Sequence, residues 1–169
     1  VGIEPAVKPA AQNHRGEKVA VMATPLTLHE EKFKQLVKRY ENLATIIPVP
    51  CPDLVEYVEK GILEGPELEG YLKDVLTPCL QEGVKAVVLG CTHFPLVKAA
   101  IGKVVGESVR IYDGGEGTAR QAKCLLAAKN LCTDQEKGHI CFESSAPEKE
   151  AYYEALYRKA AHIDSRVKL

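Results

Sequence analysis

The chain has 169 residues, room for one ordinary domain or two small ones. Hydrophobic residues make up 46% of it, enough to bury a core and too many for a disordered chain. Lys and Arg number 22 against 23 Asp and Glu, so the basic bias of a nucleic-acid binder is missing, and no apolar run approaches the roughly 18 residues of a membrane span.

Residues 1–17 hold a short helix near 7–12, between prolines and an Asn13-His14-Arg15-Gly16 turn. Residues 18–23 (KVAVMA) are an unbroken apolar run that stops at Thr24-Pro25, as a buried strand does. Phe33, Leu36, Val37 and Tyr40 follow helical spacing and predict one helix over 28–40. Residues 45–49, β-branched and closed by Pro50, predict a second strand. Helices are expected at 53–59 and 67–81, with Gly83 after the latter. Residues 85–90 (KAVVLG) are again continuous rather than alternating, the signature of a parallel sheet covered on both faces. Pro95 opens the next helix from its favoured first position. A strand at 109–112, a helix at 117–129, a short strand at 139–142 and a helix at 147–161 complete the reading.

Strand and helix alternate, which predicts an α/β fold with a parallel, doubly wound sheet. Chemistry in such sheets gathers at the carboxyl ends of the strands. Three segments fall there: Ala23-Thr24-Pro25, Gly90-Cys91-Thr92-His93 and Tyr112-Asp113-Gly114-Gly115.

The six cysteines lie in periodic apolar segments with no signal peptide ahead of them, so reduced thiols and a cytoplasmic location are expected. Cys91 differs from the rest, because it stands where a buried strand ends and a helix begins. Free N–H groups and the helix dipole favour a thiolate there, and His93 can add a hydrogen bond or a charge. An inert packing cysteine fits the same placement, which leaves both readings open. A zinc site is not expected, since there is no Cys-x-x-Cys pair and the histidines are scattered. Cys79, Cys124, Cys132 and Cys141 read as packing residues, and His14, His29, His139 and His162 as surface residues. Gly114-Gly115-Glu116-Gly117 matches neither a P-loop nor a dinucleotide fingerprint and reads as a tight strand–helix turn.

The segment Gly90-Cys91-Thr92-His93-Phe94-Pro95-Leu96, after an apolar strand, closely resembles the second-cysteine motif of the cofactor-independent glutamate racemases, within the aspartate/glutamate racemase superfamily. Ile3-Glu4-Pro5-Ala6 resembles that family's mid-chain linker, and Val21-Met22-Ala23-Thr24-Pro25-Leu26-Thr27 its Ala-Thr-x-x-Thr motif. Cys51-Pro52-Asp53-Leu54-Val55-Glu56-Tyr57-Val58-Glu59 is similar to its Cys-Pro-x-x-Val-x-x-Val-Glu segment. Asp113-Gly114-Gly115-Glu116-Gly117-Thr118-Ala119 is similar to the turn and helix that follow. The ordered matches run through essentially the whole chain.

The resemblance implies a two-lobed protein of which this chain is the C-terminal part. Residues 1–111 would be the lobe with the second cysteine, and 112–169 a tail that completes the other lobe. The chain starts at Val1, its only methionine is Met22, and it lacks the family's Asp-Ser-Gly and Cys-Asn-Thr motifs, all of which fit that expectation.

The implied reaction is the interconversion of L- and D-glutamate, supplying D-glutamate for peptidoglycan, with no cofactor and no metal. One thiol removes the α-proton and a second delivers a proton to the opposite face. By resemblance Cys91 is one of these thiols and its partner lies in the absent half. His93 would tune its protonation. Thr92 would hold the substrate carboxylate near a helix start, and Thr24 and Thr27 would line the same pocket. Glu59 matches an acidic residue near the second thiol, although Glu56, Lys60 and Glu64 around it suit a solvated helix face equally well. Cys51 is not the catalytic cysteine of the family and reads as structural.

The implied partner is a small-molecule substrate, not a nucleic acid or a membrane, with a homodimer allowed. Glu30 and Phe33 stand where the family usually has Ser and Tyr. That departure keeps two alternatives in view: a racemase for aspartate or another small amino acid, and a non-catalytic α/β binding module. An isolated chain of this kind is expected to be inactive.

Overall fold

In the computed structural model the described residues are 1–133 and 138–166, with side chains described through Lys159. The chain divides into two compact units, residues 2–116 and residues 117–169, Val1 grouping with the second.

The first unit is built on a four-stranded, wholly parallel sheet in the order β2-β1-β3-β4. Its strands are β1 (Lys18–Ala23), β2 (Thr45–Pro50), β3 (Ala86–Leu89) and β4 (Arg110–Tyr112). The two unbroken apolar runs become the two central strands. β1 is buried from Val19 onward and β3 throughout, because both of their faces are covered. β2 carries Pro48 and Pro50, which cannot donate to a ladder, and accordingly takes an edge position.

On one face, α1 (Val7–Asn13) and α3 (Glu31–Tyr40) pack Val7, Ala10, Ala11, Phe33 and Leu36 against Val19, Val21, Ala86 and Val88. Successive strand residues point to opposite faces, so Ala20 and Met22 are buried on the other side. The remaining helices of this unit are α2 (Pro25–His29), α4 (Leu54–Glu59), α5 (Pro66–Gln81) and α6 (Lys98–Val105). α5 buries Leu68, Leu72 and Leu76 at helical spacing and packs against α6.

Two expected helices are divided. The helix expected over 28–40 breaks at Glu30, which is extended (φ −65°, ψ 138°) and stands between α2 and α3. Thr24 and Pro25 start a separate turn, which ends as the Glu30 N–H donates to the Thr27 carbonyl at 3.2 Å. The helix expected from Pro95 begins instead as a 3₁₀ turn, Phe94–Val97, and becomes α-helical only at Lys98.

Gly90 ends β3 at a point of close approach. A Cβ there would lie 2.8 Å from the Met22 carbonyl oxygen and 3.3 Å from the Ala23 Cβ. Only a glycine lets the chain leave the sheet at this depth and carry Cys91 straight to the strand end.

The second unit holds most of α7 (Gly115–Ala128), a 3₁₀ turn at Pro147–Lys149 and α8 (Glu150–Arg166). The expected strand at 139–142 is not formed; these residues are irregular. A segment that short becomes a strand only where a neighbour pairs its backbone. Leu125, Leu126, Leu131 and Ile140 are exposed, and Cys124, Cys132 and Cys141 are exposed as well, contrary to their expected packing role. No helix among the described residues is long and apolar enough to cross a membrane.

Candidate active site

A cleft of about 530 Å³ opens in the first unit at the carboxyl ends of its strands. Its floor comes from Leu89, Gly90, Cys91 and Thr92 after β3, and one wall from Thr27, Glu30, Lys32, Phe33 and Leu36. The segments Ile3-Glu4-Pro5 and Asp113-Gly114-Gly115 close the rim.

The turn that carries Cys91 is fixed by its own backbone. The Phe94 N–H donates to the Cys91 carbonyl at 3.2 Å and the Leu96 N–H to the His93 carbonyl at 3.1 Å, while Phe94 and Val97 are fully buried beneath. Cys91 and His93 are left partly exposed above this anchor. The Cys91 Sγ lies 3.9 Å from His93 Nδ1, and His93 Nε2 lies 2.9 Å from Glu59 Oε1. A carboxylate only accepts, so Nε2 carries the hydrogen whenever the imidazole is neutral. Nδ1 then turns its lone pair toward the thiol. Carboxylate, imidazole and thiol thus form one chain along which a proton can be taken from Cys91 or returned to it. The fold brings Glu59 to His93 through 34 residues of intervening sequence.

Thr92 lines the cleft, and its hydroxyl and N–H make no hydrogen bond among the described residues. Thr27 lines the cleft beside it. Thr24 does not. Its Oγ1 accepts the Thr27 N–H at 3.3 Å and sits 3.0 Å from the Thr27 hydroxyl, so it caps α2 and orients Thr27.

The cleft also holds two charged groups to which the sequence reading assigned no role. Lys32 contributes an ammonium without an ion-pair partner among the described residues. In the sequence it is one more lysine on an amphipathic helix; in the structure it lines the cleft near the start of α3. Asp113 pairs with Lys98 at 2.9 Å and accepts the Gly115 N–H at 3.0 Å. Burial raises the Asp113 carboxyl pKa, but Lys98 and the Gly115 N–H outweigh burial and hold it below the usual carboxylate value.

The other cysteines of this unit differ sharply from Cys91. Cys51 is fully buried, donates to the Val49 carbonyl at 3.4 Å, and is pushed by burial to a pKa of about 12. Burial likewise raises Cys79. Among the described residues no group of acidic, histidine and cysteine side chains could hold a metal ion. His29 and His139 are exposed. His14 is not the surface residue expected: its side chain is 16% exposed, edge-on to the Tyr112 ring at 5.8 Å and 2.7 Å from Glu17. The His162 side chain lies outside the described residues.

A family model for the Asp/Glu/hydantoin racemases matches residues 1–122. The chain belongs to that family.

Glutamate racemase of Clostridium kluyveri is 48% identical over 137 residues, which are 81% of this chain and 53% of that protein. Glutamate racemase of Clostridium perfringens is 43% identical over 150 residues, 88% of this chain and 58% of that protein. The chain therefore spans little more than half the length of the curated relatives it matches. Among solved structures, Escherichia coli glutamate racemase in complex with L-glutamate and activator UDP-MurNAc-ala superposes with a TM-score of 0.76 at 30% identity. It covers 94% of this chain and 61% of that one. The Francisella tularensis glutamate racemase structure agrees in fold, with a TM-score of 0.70 at 23% identity.

Within this racemase family the contrast between thiols gives a direct test. With iodoacetamide at pH 7.5, Cys91 should label while Cys51 and Cys79 stay unmodified in the folded chain. A pKa near 12 leaves Cys51 roughly 10³-fold less thiolate than an unperturbed cysteine. The exposed Cys124, Cys132 and Cys141 serve as internal positive controls. Peptide mapping that finds Cys51 modified before Cys91 would overturn this account of the site.

Proposed function

We propose that this chain is the part of a glutamate racemase that carries one of its two proton-transferring thiols. The observation that carries the reading is the Glu59–His93–Cys91 chain at the edge of a strand-end cleft. The clostridial relatives and the Escherichia coli complex with L-glutamate support the choice of substrate.

In the proposed reaction Cys91, as thiolate, takes the α-proton from one face of glutamate. The second thiol, supplied by residues outside this chain, delivers a proton to the other face, and the roles exchange for the opposite enantiomer. His93 accepts the Cys91 proton at Nδ1 before the abstraction and returns it when Cys91 acts as the acid. Glu59 keeps the imidazole oriented and balances its charge. Thr92 and Thr27 bind the substrate carboxylates, and Thr24 acts one step removed, through Thr27. The proposed steps move only protons and invoke no cofactor: one C–H bond is broken at the α-carbon and one is formed there. The compact units divide at 116/117, close to the proposed passage from a second-cysteine lobe (1–111) to a tail of the first (112–169). The product would be the D-glutamate of peptidoglycan, made in the cytoplasm, and a homodimer is compatible with this role.

Glu30 and Phe33 line the cleft, where they bear on substrate choice, and the glutamate racemases this chain resembles favour glutamate over the aspartate alternative. The test is racemisation by the longer protein that contains this chain, with L-glutamate and L-aspartate run side by side in a coupled assay. Turnover of glutamate at least tenfold faster than aspartate is expected. The reverse order would move the substrate to aspartate, and no turnover of either would reject the enzyme reading.

A further inference from the structure

Glu59 can keep the imidazole of His93 in one tautomer only if the helix that carries it is held. That helix, α4, has six residues and caps itself poorly: Asp53 at its N-cap makes no side-chain cap bond. A helix of this length has no stability of its own. Leu54 and Val58 sink one face into the core and α4 packs against the Phe94–Val97 turn, apolar contacts that carry no hydrogen-bond direction.

The directional contacts come from α5. The Asp53 N–H donates to the Tyr71 hydroxyl at 3.3 Å, across 18 residues of sequence. The Tyr71 ring also packs on Tyr57, in the middle of α4, with centroids 5.3 Å apart and planes inclined by 41°. Tyr71 itself stands on a 16-residue helix pinned by Leu68, Leu72 and Leu76. α5 therefore grips α4 at two points, its start and its centre. Glu59 lies two residues beyond Tyr57, and its carboxylate reaches His93 at 2.9 Å. Burial raises the Tyr71 phenol to about 12, so the hydroxyl stays neutral and available to the Asp53 N–H through the physiological range.

We infer that Tyr71 is a positioning residue. Its hydroxyl and ring lock α4 against α5 and thereby hold the Glu59 carboxylate on His93 Nε2, leaving Nδ1 facing the Cys91 thiol. The inference rests on the reading of Glu59, His93 and Cys91 as the proton-handling groups of this racemase family, and extends it to a residue that touches none of them.

The test reads the imidazole directly and needs no turnover. Long-range ¹H–¹⁵N spectra of the longer protein that contains this chain, recorded with His93 neutral, give the ratio of Nε2–H to Nδ1–H tautomers. Glu59→Ala should remove the excess of the Nε2–H form. Tyr71→Phe keeps the ring and removes one hydrogen bond, and should lower the ratio roughly three- to tenfold, the range of one such bond. Tyr57→Leu should lower it in the same direction. In the Glu59→Ala background, Tyr71→Phe should change nothing further. An unchanged ratio in Tyr71→Phe would overturn the inference, as would the same fall with Glu59 already removed. Failure of the longer protein to racemise glutamate would reject the proposed function while leaving this ratio as it is, so the two failures are distinct.

Discussion

In the longer protein that contains this chain, Cys91→Ser is expected to lower racemisation at least ~10³-fold in both directions, as loss of the one group that removes a proton from one face and supplies it in the reverse reaction. A serine hydroxyl is far harder to ionise at neutral pH than a thiol, and His93 at 3.9 Å is not positioned to make it a strong base. The two enantiomers should not respond alike to solvent exchange at the α-carbon. For the enantiomer whose proton faces the remaining thiol, abstraction can still occur and deuterium from D₂O can be incorporated with retention. For the other, abstraction itself is lost. Proton NMR of the α-position in D₂O separates the two. Near-normal turnover in both directions, or equal loss of exchange from both enantiomers, would show that Cys91 is not one of the two proton carriers. Cys51→Ser is the control: a buried thiol held to a carbonyl, its substitution should leave racemisation in place apart from its effect on stability.

The second large effect concerns residues 1–169 by themselves, which are expected to show no racemisation above the buffer rate. One thiol can take a proton from one face of glutamate and cannot deliver one to the other. The cleft formed by the first unit is open, so an amino acid in it would also be incompletely desolvated and incompletely oriented, two conditions that proton abstraction from carbon requires. Leu125, Leu126, Leu131 and Ile140 are exposed, and apolar area of that kind favours association. A coupled assay with the longer protein as control, alongside light scattering in the same buffer, measures both properties. Turnover equal to the control by a chain that scatters as a monomer would overturn the two-thiol mechanism. Turnover confined to a dimeric fraction would mean instead that two copies bring their Cys91 thiols into one cleft.

What the sequence determined by itself was the part of the molecule governed by local rules. Short continuous apolar runs closed by Thr24-Pro25 and by Gly90 suit strands covered on both faces, and 18–23 and 85–90 became the central pair. The β-branched run 45–49 closed by Pro50 read as a strand for a similar local reason, while its edge position came only with the sheet order. The segment Gly90-Cys91-Thr92-His93 marked the strand end because a glycine, a thiol and a histidine interrupt an apolar run at the one place where backbone leaves the sheet. Cys79 read as a packing residue from the periodicity around it, and Cys51 as structural from the family resemblance.

Tertiary structure decided whatever depended on groups meeting across long stretches of chain. Glu59 was balanced between solvent and site until the fold of α4 brought it to His93. Thr24 shared a motif with Thr27, yet only the start of α2 assigned its hydroxyl to capping. Lys32 had no mark on it until the fold set it against the cleft, and Tyr71 had none until it met Asp53 and Tyr57. The expected strand at 139–142 failed for the converse reason. Its β-branched and aromatic residues carry the right propensity, but a strand exists only when another supplies hydrogen bonds to its backbone. Propensity and spacing are properties of a segment, whereas a hydrogen bond, an ion pair or a shared sheet is a property of two, and the second partner is what the fold supplies.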